Sequence, residues 1–436
     1  MIRVLLTLFV GCFLAIGHSQ SIPAAPKGCG YDHYVHTLDQ RYAGFKASAD
    51  DLFRRVAKRP ALEKDMEVYT IPVVVHIVWK KEEENLSDDL IKDVIDVLNE
   101  DYRRLNADAN QIRPEFENLV GDAFIEFELA GVERVQTDAS FKLNLLGGSL
   151  PDNVKKASDG GSDAWDTEQY LNIWVCNIEG GSLLGYAYPP ADLSHWPEGA
   201  NAPTPEVDGV VIHYQVFRRS GTHTASGLLG SGEMTVPVRG RTITHEVGHY
   251  LGLRHIWGDG LLSILGIPDC DADDGINDTP QQGVSSQFQC DPAQNTCGDG
   301  IDDMPDMFEN YMDYAAEDCL NSFTHEQIAI MRSVLENERN GLIGQVVSPT
   351  VSVETNDKFR VFPNPAKDQL FVESSLEHFQ DYQIRLVDMQ GRWLQSPTMG
   401  RYADRQTINV AGLPAGLYGL VIWQGEKQYF QKIIVR

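Results

Sequence analysis

The sequence predicts two folded units: an α+β domain built on a mixed, twisted sheet, and behind it a small all-β sandwich. Three observations carry this. Runs of β-branched and apolar residues recur from Val68 to Tyr214 and lead into one helix with the pattern H-E-x-x-H-x-x-G-x-x-H, His245 to His255. Regular patterning then stops between Pro268 and Asp306. From Lys358 onward the texture becomes short strands broken by turn signals.

The ends and the charge set the context. Arg3, the apolar run Val4 to Ile16 and Gly17-His18-Ser19 form an export signal, with cleavage expected after Ser19. The run is too short to span a bilayer, and no other segment is apolar enough. The mature protein is therefore expected to be soluble and exported, where disulfides are allowed. The chain has 436 residues, with 36 basic and 63 acidic side chains and a formal net charge of −27. That balance argues against nucleic acid as a partner and suits cationic substrates and bound calcium.

Residues 20–59 lack periodic apolar structure and end in Arg54-Arg55 and Lys58-Arg59, so they read as a pro-segment. Within it, Cys29 is a candidate zinc ligand that would keep a zymogen silent. A disulfide to Cys176 is the alternative. A domain over 60–345 follows. Val68 to Trp79 predicts a buried strand. Ser87 caps a helix whose apolar stripe is Leu90, Ile91, Val94, Ile95, Leu98, Tyr102 and Leu105. Ile125, Phe127 and Leu129 alternate with acids, a half-buried strand. Tyr170–Ile178, Leu183–Tyr188 and Val207–Tyr214 predict three more. His76, His195 and His213 read as structural.

The helix that follows carries chemistry. His245 and His249 lie four apart, so both imidazoles leave one helix face and reach one metal. Gly252 can take φ > 0 and end the helix, returning His255 to the same point. Three neutral imidazoles leave one zinc position open, the arrangement of a catalytic site, where zinc lowers the pKa of a water to about 7. Glu246 is placed as the general base.

Downstream, ten Asp residues between Pro268 and Asp306 suggest calcium, or merely a solvated acidic loop; the spacing is not that of an EF-hand. Cys270, Cys290, Cys297 and Cys319 predict two disulfides, with three pairings open. Met312 in Asn310-Tyr311-Met312-Asp313-Tyr314 is placed as an apolar floor under the histidines, the Met-turn expected after the long motif. Tyr314 is a donor for a developing oxyanion. Thr324-His325-Glu326-Gln327 is a capping box opening a last helix. A polar linker, 346–357, separates this domain from the sandwich, 358–436, which holds no cluster of acids, His or Cys.

The domain resembles the pappalysin family of metzincins, and most closely its small ulilysin-like members. The resemblance rests on His245 to His255 with Trp257-Gly258-Asp259, on Asp278-Thr279-Pro280, on the Met312 turn and on Cys29. It implies zinc on His245, His249 and His255, Glu246 as base, Tyr314 assisting the transition state and Cys29 on zinc in the latent form. It also implies Cys270–Cys297 and Cys290–Cys319 bonds, a calcium site including Asp274 and Thr279, and a substrate-pairing edge strand around Gly185 and Tyr186. The sandwich resembles the sorting domain of the type IX secretion system, on Val361 to Pro365, Asp388 to Arg392, Leu413 to Tyr418 and Lys432 to Arg436. That implies export through the periplasm by that machinery, to the medium or the cell surface.

The expected function is a secreted zinc endopeptidase acting on proteins or peptides, made as a latent zymogen. The alternative is a surface adhesion protein on a silent protease scaffold. Arg-preferring relatives carry an Asp two residues before the last cysteine of the domain. Here that position is Glu317, with Asp318 the fallback, so cleavage before Arg or Lys is expected. A surface acidic pair beside a disulfide is the alternative reading of these two residues.

Overall fold

The computed structural model describes residues 67–143, 150–180, 183–190, 205–226, 233–258, 263, 266–298, 300, 303–343, 359–374, 382–388, 398–400, 405–424 and 427–436. Of the pro-segment it describes positions 29, 47, 50, 51 and 53–55. The export signal, the linker, Asp259, Asp299, Asp302 and His195 lie outside the described residues.

A five-stranded sheet organises the first domain. Its strands are β1 (Tyr69–Trp79), β2 (Ile125–Gln136), β4 (Leu171–Cys176), β6 (Gly185–Ala187) and β7 (Val210–His213). Their order is β2-β1-β4-β7-β6. Every pair is parallel except β6, which runs antiparallel to β7 at the edge. β1 and β4 are central and covered on both faces, which is why they are apolar almost without interruption. The short β3 (Phe141–Lys142) and β5 (Ile178–Glu179) pair beside the sheet. The run expected as one strand, Tyr170–Ile178, thus divides between β4 and β5.

Helix α1 (Asp88–Tyr102) packs its buried Ile91, Val94, Ile95, Leu98 and Tyr102 into the main core, with the Ser87 hydroxyl accepting from Leu90 N at 3.3 Å. Leu105, expected in the same stripe, is instead 70% exposed. The helix stops at Tyr102 and Arg104 takes φ 49°, so the chain turns before residue 105 can share the face. A hairpin of β8 (Gly221–Ser226) and β9 (Glu233–Val238) has no counterpart in the sequence reading. It delivers the chain to α2 (Arg241–Tyr250), and α3 (His325–Glu336) closes the domain behind the Thr324–Gln327 capping box.

The described residues of 268–306 hold turns and bends only. Two disulfides cross this region, Cys270–Cys297 and Cys290–Cys319.

The last domain is two antiparallel sheets. One orders β10 (Phe359–Phe362), β11 (Gln369–Ser374) and β14 (Gln406–Asn409). The other orders β13 (Thr398–Gly400), β12 (Tyr382–Asp388), β15 (Gly416–Gln424) and β16 (Lys427–Val435). Leu370, Val372, Ile384, Leu386, Leu420, Ile422, Ile433 and Val435 fill its separate core.

Candidate active site

α2 begins at Gly240, whose φ of 79° turns the chain out of β9. Gly240 has no side chain to cap the helix, and Glu317 does so instead. Its carboxylate accepts from Arg241 N at 3.1 Å, from Thr242 N at 2.8 Å, from the Thr242 hydroxyl and from Arg239 N. Negative charge is favourable at this end of a helix. The Arg241 guanidinium has the opposite sign to what a first helical turn favours, and its partners explain it. It donates to Tyr311 Oη at 2.9 Å and Leu320 O at 2.6 Å and pairs with Asp101 and Asp108. Arg241 thereby ties α2 to the turn at Met312. Its misplaced charge was the one sequence signal for it.

From the same helix, His249 Nε2 comes within 3.0 Å of His245 Nε2 and 3.1 Å of His255 Nε2. Gly252, with φ 93°, turns the chain so that His255 returns. Nδ1 of His245 faces Tyr311 O at 2.7 Å, and Nδ1 of His249 faces Leu253 O at 2.8 Å. A proton on each Nδ1 satisfies the carbonyl and leaves Nε2 as a lone pair. Burial, reinforced by the neighbouring histidines, pushes His245 down to about 3 and His249 well below its ordinary value. Neutral imidazoles with converging lone pairs repel unless a cation lies among them. The donor set fits zinc, which takes imidazole nitrogens at about 2.0–2.1 Å.

The Cys29 thiol joins them. Its Sγ and one nitrogen from each of the three histidines all lie within 4.8 Å of one another. Cys29 Sγ also donates to Glu246 Oε2 at 3.3 Å, and residue 29 forms a parallel bridge with Gly185 on β6. Neither Cys29 nor the buried Cys176 is in a disulfide. Glu246 is fully buried, on the α2 turn that carries His245. Met312 lies beneath: a Cβ added to Gly248 would stand 2.5 Å from its Sδ. The Tyr314 ring packs 5.4 Å from that of His245 and 4.9 Å from that of His255, and Trp257 stacks on His255 at 4.4 Å.

A cleft of about 470 Å³ runs from Cys29, His245 and Glu246 to Glu317, with Val216, Val236, Val238 and Leu320 among its walls. Asp318 is exposed and outside that lining. The walls drawn from the β8–β9 hairpin went unread in the sequence because the contacts are long-range.

The segment expected to be a pro-segment touches the domain at a second place. Asp50 accepts from Arg254 Nη2 at 2.8 Å, and buried Phe53 lies 4.3 Å beneath the Arg254 guanidinium, against Gly275. Asp274 beside it is fully buried and accepts from Ile276 N at 2.9 Å and from the Thr279 hydroxyl at 3.0 Å. His76 bonds Ser162 and Asn172 at 2.9 Å each and stacks on Trp174. Burial pushes His213 down to about 3. Neither joins the histidine cluster.

Residues 229–336 match the family described as Pregnancy-associated plasma protein-A, and residues 360–436 match a secretion system C-terminal sorting domain. Mirolysin in complex with a small compound is 40% identical, with 63% of this chain and 96% of that chain covered and a TM-score of 0.51. A promirolysin mutant from Tannerella forsythia is 36% identical, with 72% and 97% covered and a TM-score of 0.58. An extracellular metalloprotease of Arthroderma otae is 26% identical over 77% of this chain and 99% of its own length. With such identity across nearly all of the mirolysin chains, this protein belongs to the pappalysin family of zinc metalloproteases and is secreted by way of a C-terminal type IX sorting domain.

Proposed function

We propose that the chain is a latent endopeptidase in which His245, His249 and His255 hold the catalytic zinc and Cys29 silences it. The observation that carries this is the convergence of three Nε2 atoms and one thiol on a single point, with Glu246 touching the thiol. Zinc held by His245, His249 and His255 would supply Lewis acidity to the scissile carbonyl and lower the pKa of the attacking water. Glu246 takes the proton from that water and passes it to the leaving amine. Tyr314, packed against two of the histidines, donates to the developing oxyanion. The outer edge of β6, with Gly185 and Tyr186, pairs with an extended substrate once the pro-segment has gone. A peptide as the class of substrate is supported by mature mirolysin, 39% identical to this chain, which has been solved in complex with a cleaved peptide.

Glu317 gives the cleft its acid and the preference for Arg or Lys after the scissile bond. Its carboxylate is shared between the helix N–H groups and the cleft, and Asp318, exposed and outside that lining, is the second candidate for the preference. Calcium binds at Asp274 and Thr279. Burial pushes the Asp274 carboxyl well up, and the neighbouring acid Asp273 raises it further. A divalent ion supplies a compensating positive charge.

The deciding experiment is Glu246→Ala in the activated enzyme. Peptide hydrolysis should fall by about 10³-fold or more while metal analysis still finds one zinc per chain. Near-normal turnover would take the base away from Glu246.

A further inference from the structure

Behind β6 lies a charged cluster that bond cleavage does not use. Lys155 is fully buried. Its ammonium donates to Val207 O at 2.6 Å and lies 3.2 Å from Asp152 Oδ1. It sits over the rings of Tyr188 at 4.0 Å, Tyr186 at 4.8 Å and Trp174 at 5.4 Å. Asp152 in turn accepts from the Tyr186 hydroxyl at 3.1 Å and from the Tyr188 hydroxyl. Burying an ammonium costs several kcal/mol unless its partners are well placed. Here a carboxylate, a carbonyl and three π faces surround it, so the pocket is built for a charge.

The location gives the cluster its meaning. β6 is three residues long and is bonded within its sheet to β7 alone. A strand that short has few ladder bonds to fix its position. Its side chains alternate: a Cβ on Gly185 would meet Glu246, while Tyr186 and Tyr188 point to the opposite face, into the Lys155 cluster. The outer edge is where residue 29 pairs with Gly185.

We propose that Lys155 and Asp152 are positioning residues. They form a buried clamp that anchors the Tyr186 and Tyr188 face of β6, and through β6 set the register of any extended chain on its outer edge. This rests on the reading that substrate pairs with β6. The pro-segment, already paired there, provides a readout independent of catalysis.

The test uses Lys155→Met, which removes the charge and keeps the stem, and Tyr188→Phe, which removes one hydroxyl and keeps the ring. Kinetics are measured on two peptides with the same scissile bond, one long enough to span β6 and one truncated on that side. Separately, the zinc-loaded zymogen is treated with a thiol reagent and labelling of Cys29 is followed by peptide mapping. The clamp predicts a KM about tenfold higher for the long peptide with kcat held within about twofold, and Cys29 labelling about tenfold faster. Folded, zinc-loaded variants with the parent's KM ratio and labelling rate would overturn it. So would a lower melting temperature with equal kinetic losses for both peptides, which is a purely structural role. If Lys155→Met does not fold, Tyr188→Phe decides alone. If the parent itself gains nothing from the longer peptide, the substrate reading of β6 has failed, and Cys29 labelling decides the clamp.

Discussion

Gly185 has no room for a side chain. A Cβ built there would stand 2.9 Å from both Cγ and Oε1 of Glu246 and 3.0 Å from Val211 O. Gly185→Ala must therefore push the carboxylate aside or lift β6. A displacement of about 1 Å at a reacting group can cost about 100-fold. We predict kcat down by about 10- to 100-fold, with zinc content unchanged by metal analysis. Glu317 supports a prediction with two readouts, because the carboxylate both caps α2 and faces the cleft. Glu317→Gln keeps the shape but loses the charge. The helix end should lose about 0.5–1 kcal/mol, read as a lower melting temperature, and a peptide-library profile should lose its preference for Arg. A profile that keeps the Arg preference would assign specificity elsewhere in the cleft.

The turn around Met312 is held as an element by one buried acid. Asp313 accepts from Ser286 N at 3.0 Å, from Tyr314 N at 2.7 Å and from the Ser286 hydroxyl. These bonds favour the ionised form, yet burial outweighs them and pushes the carboxyl up to about 6 from an ordinary 3.8. The sign follows from linkage. Between those two values the unfolded chain has lost the proton and the folded chain keeps it, so stability falls as pH rises through that window. A shift of that size corresponds to about 3 kcal/mol. Asp313→Asn cannot titrate. We predict that denaturant titrations from pH 4 to pH 7 show a flatter stability profile for the variant than for the parent. Parallel profiles would mean that Asp313 keeps its ordinary affinity for protons. α2 itself is marginal on local grounds, with a glycine at its N-cap and His-Glu-Val-Gly-His inside it. Its packing and the Glu317 cap hold it, rather than intrinsic propensity.

At the scale of the whole molecule, the described residues of 268–306 bury few apolar side chains, Ile276 and Val284 beside the bonded Cys297, and cross-links supplement the core there. Each disulfide closes a loop, with sequence separations of 27 and 29. Loops of that length are worth about 3–4 kcal/mol each in the chain-entropy account. Calcium at Asp274 would add to this by binding the folded chain alone, about 2.7 kcal/mol at a hundredfold excess over Kd. We predict that melting temperature rises on calcium addition to chelator-treated, zinc-restored protein, and that Asp274→Asn abolishes the rise. A melting curve indifferent to calcium would remove the ion from this loop.

Residue spacing alone predicted what is local, whereas Cys29 at the histidines and the two disulfide pairings were implied by the resemblance. Two histidines four apart on a helix, and a glycine turn before the third, converge through backbone geometry over eleven residues; no distant contact is needed. The same holds for the Ser87 cap and the Thr324–Gln327 box. The tertiary structure decided whatever depends on parts far apart in the chain. Glu317 reaches back 75 residues to cap α2, Arg241 reaches 133 back to Asp108, and Cys29 meets Glu246 across 217. None of these leaves a periodic trace, because a long-range partner imposes no spacing on its neighbours. Leu105 fell out of its stripe for a similar reason: one positive φ at Arg104 ended the helix that periodicity alone would have continued. Local spacing therefore contained the three-histidine grouping, whereas the Glu317 cap on α2, the Lys155 cluster behind β6 and the seats of Cys29 and Phe53 exist only once the chain has folded.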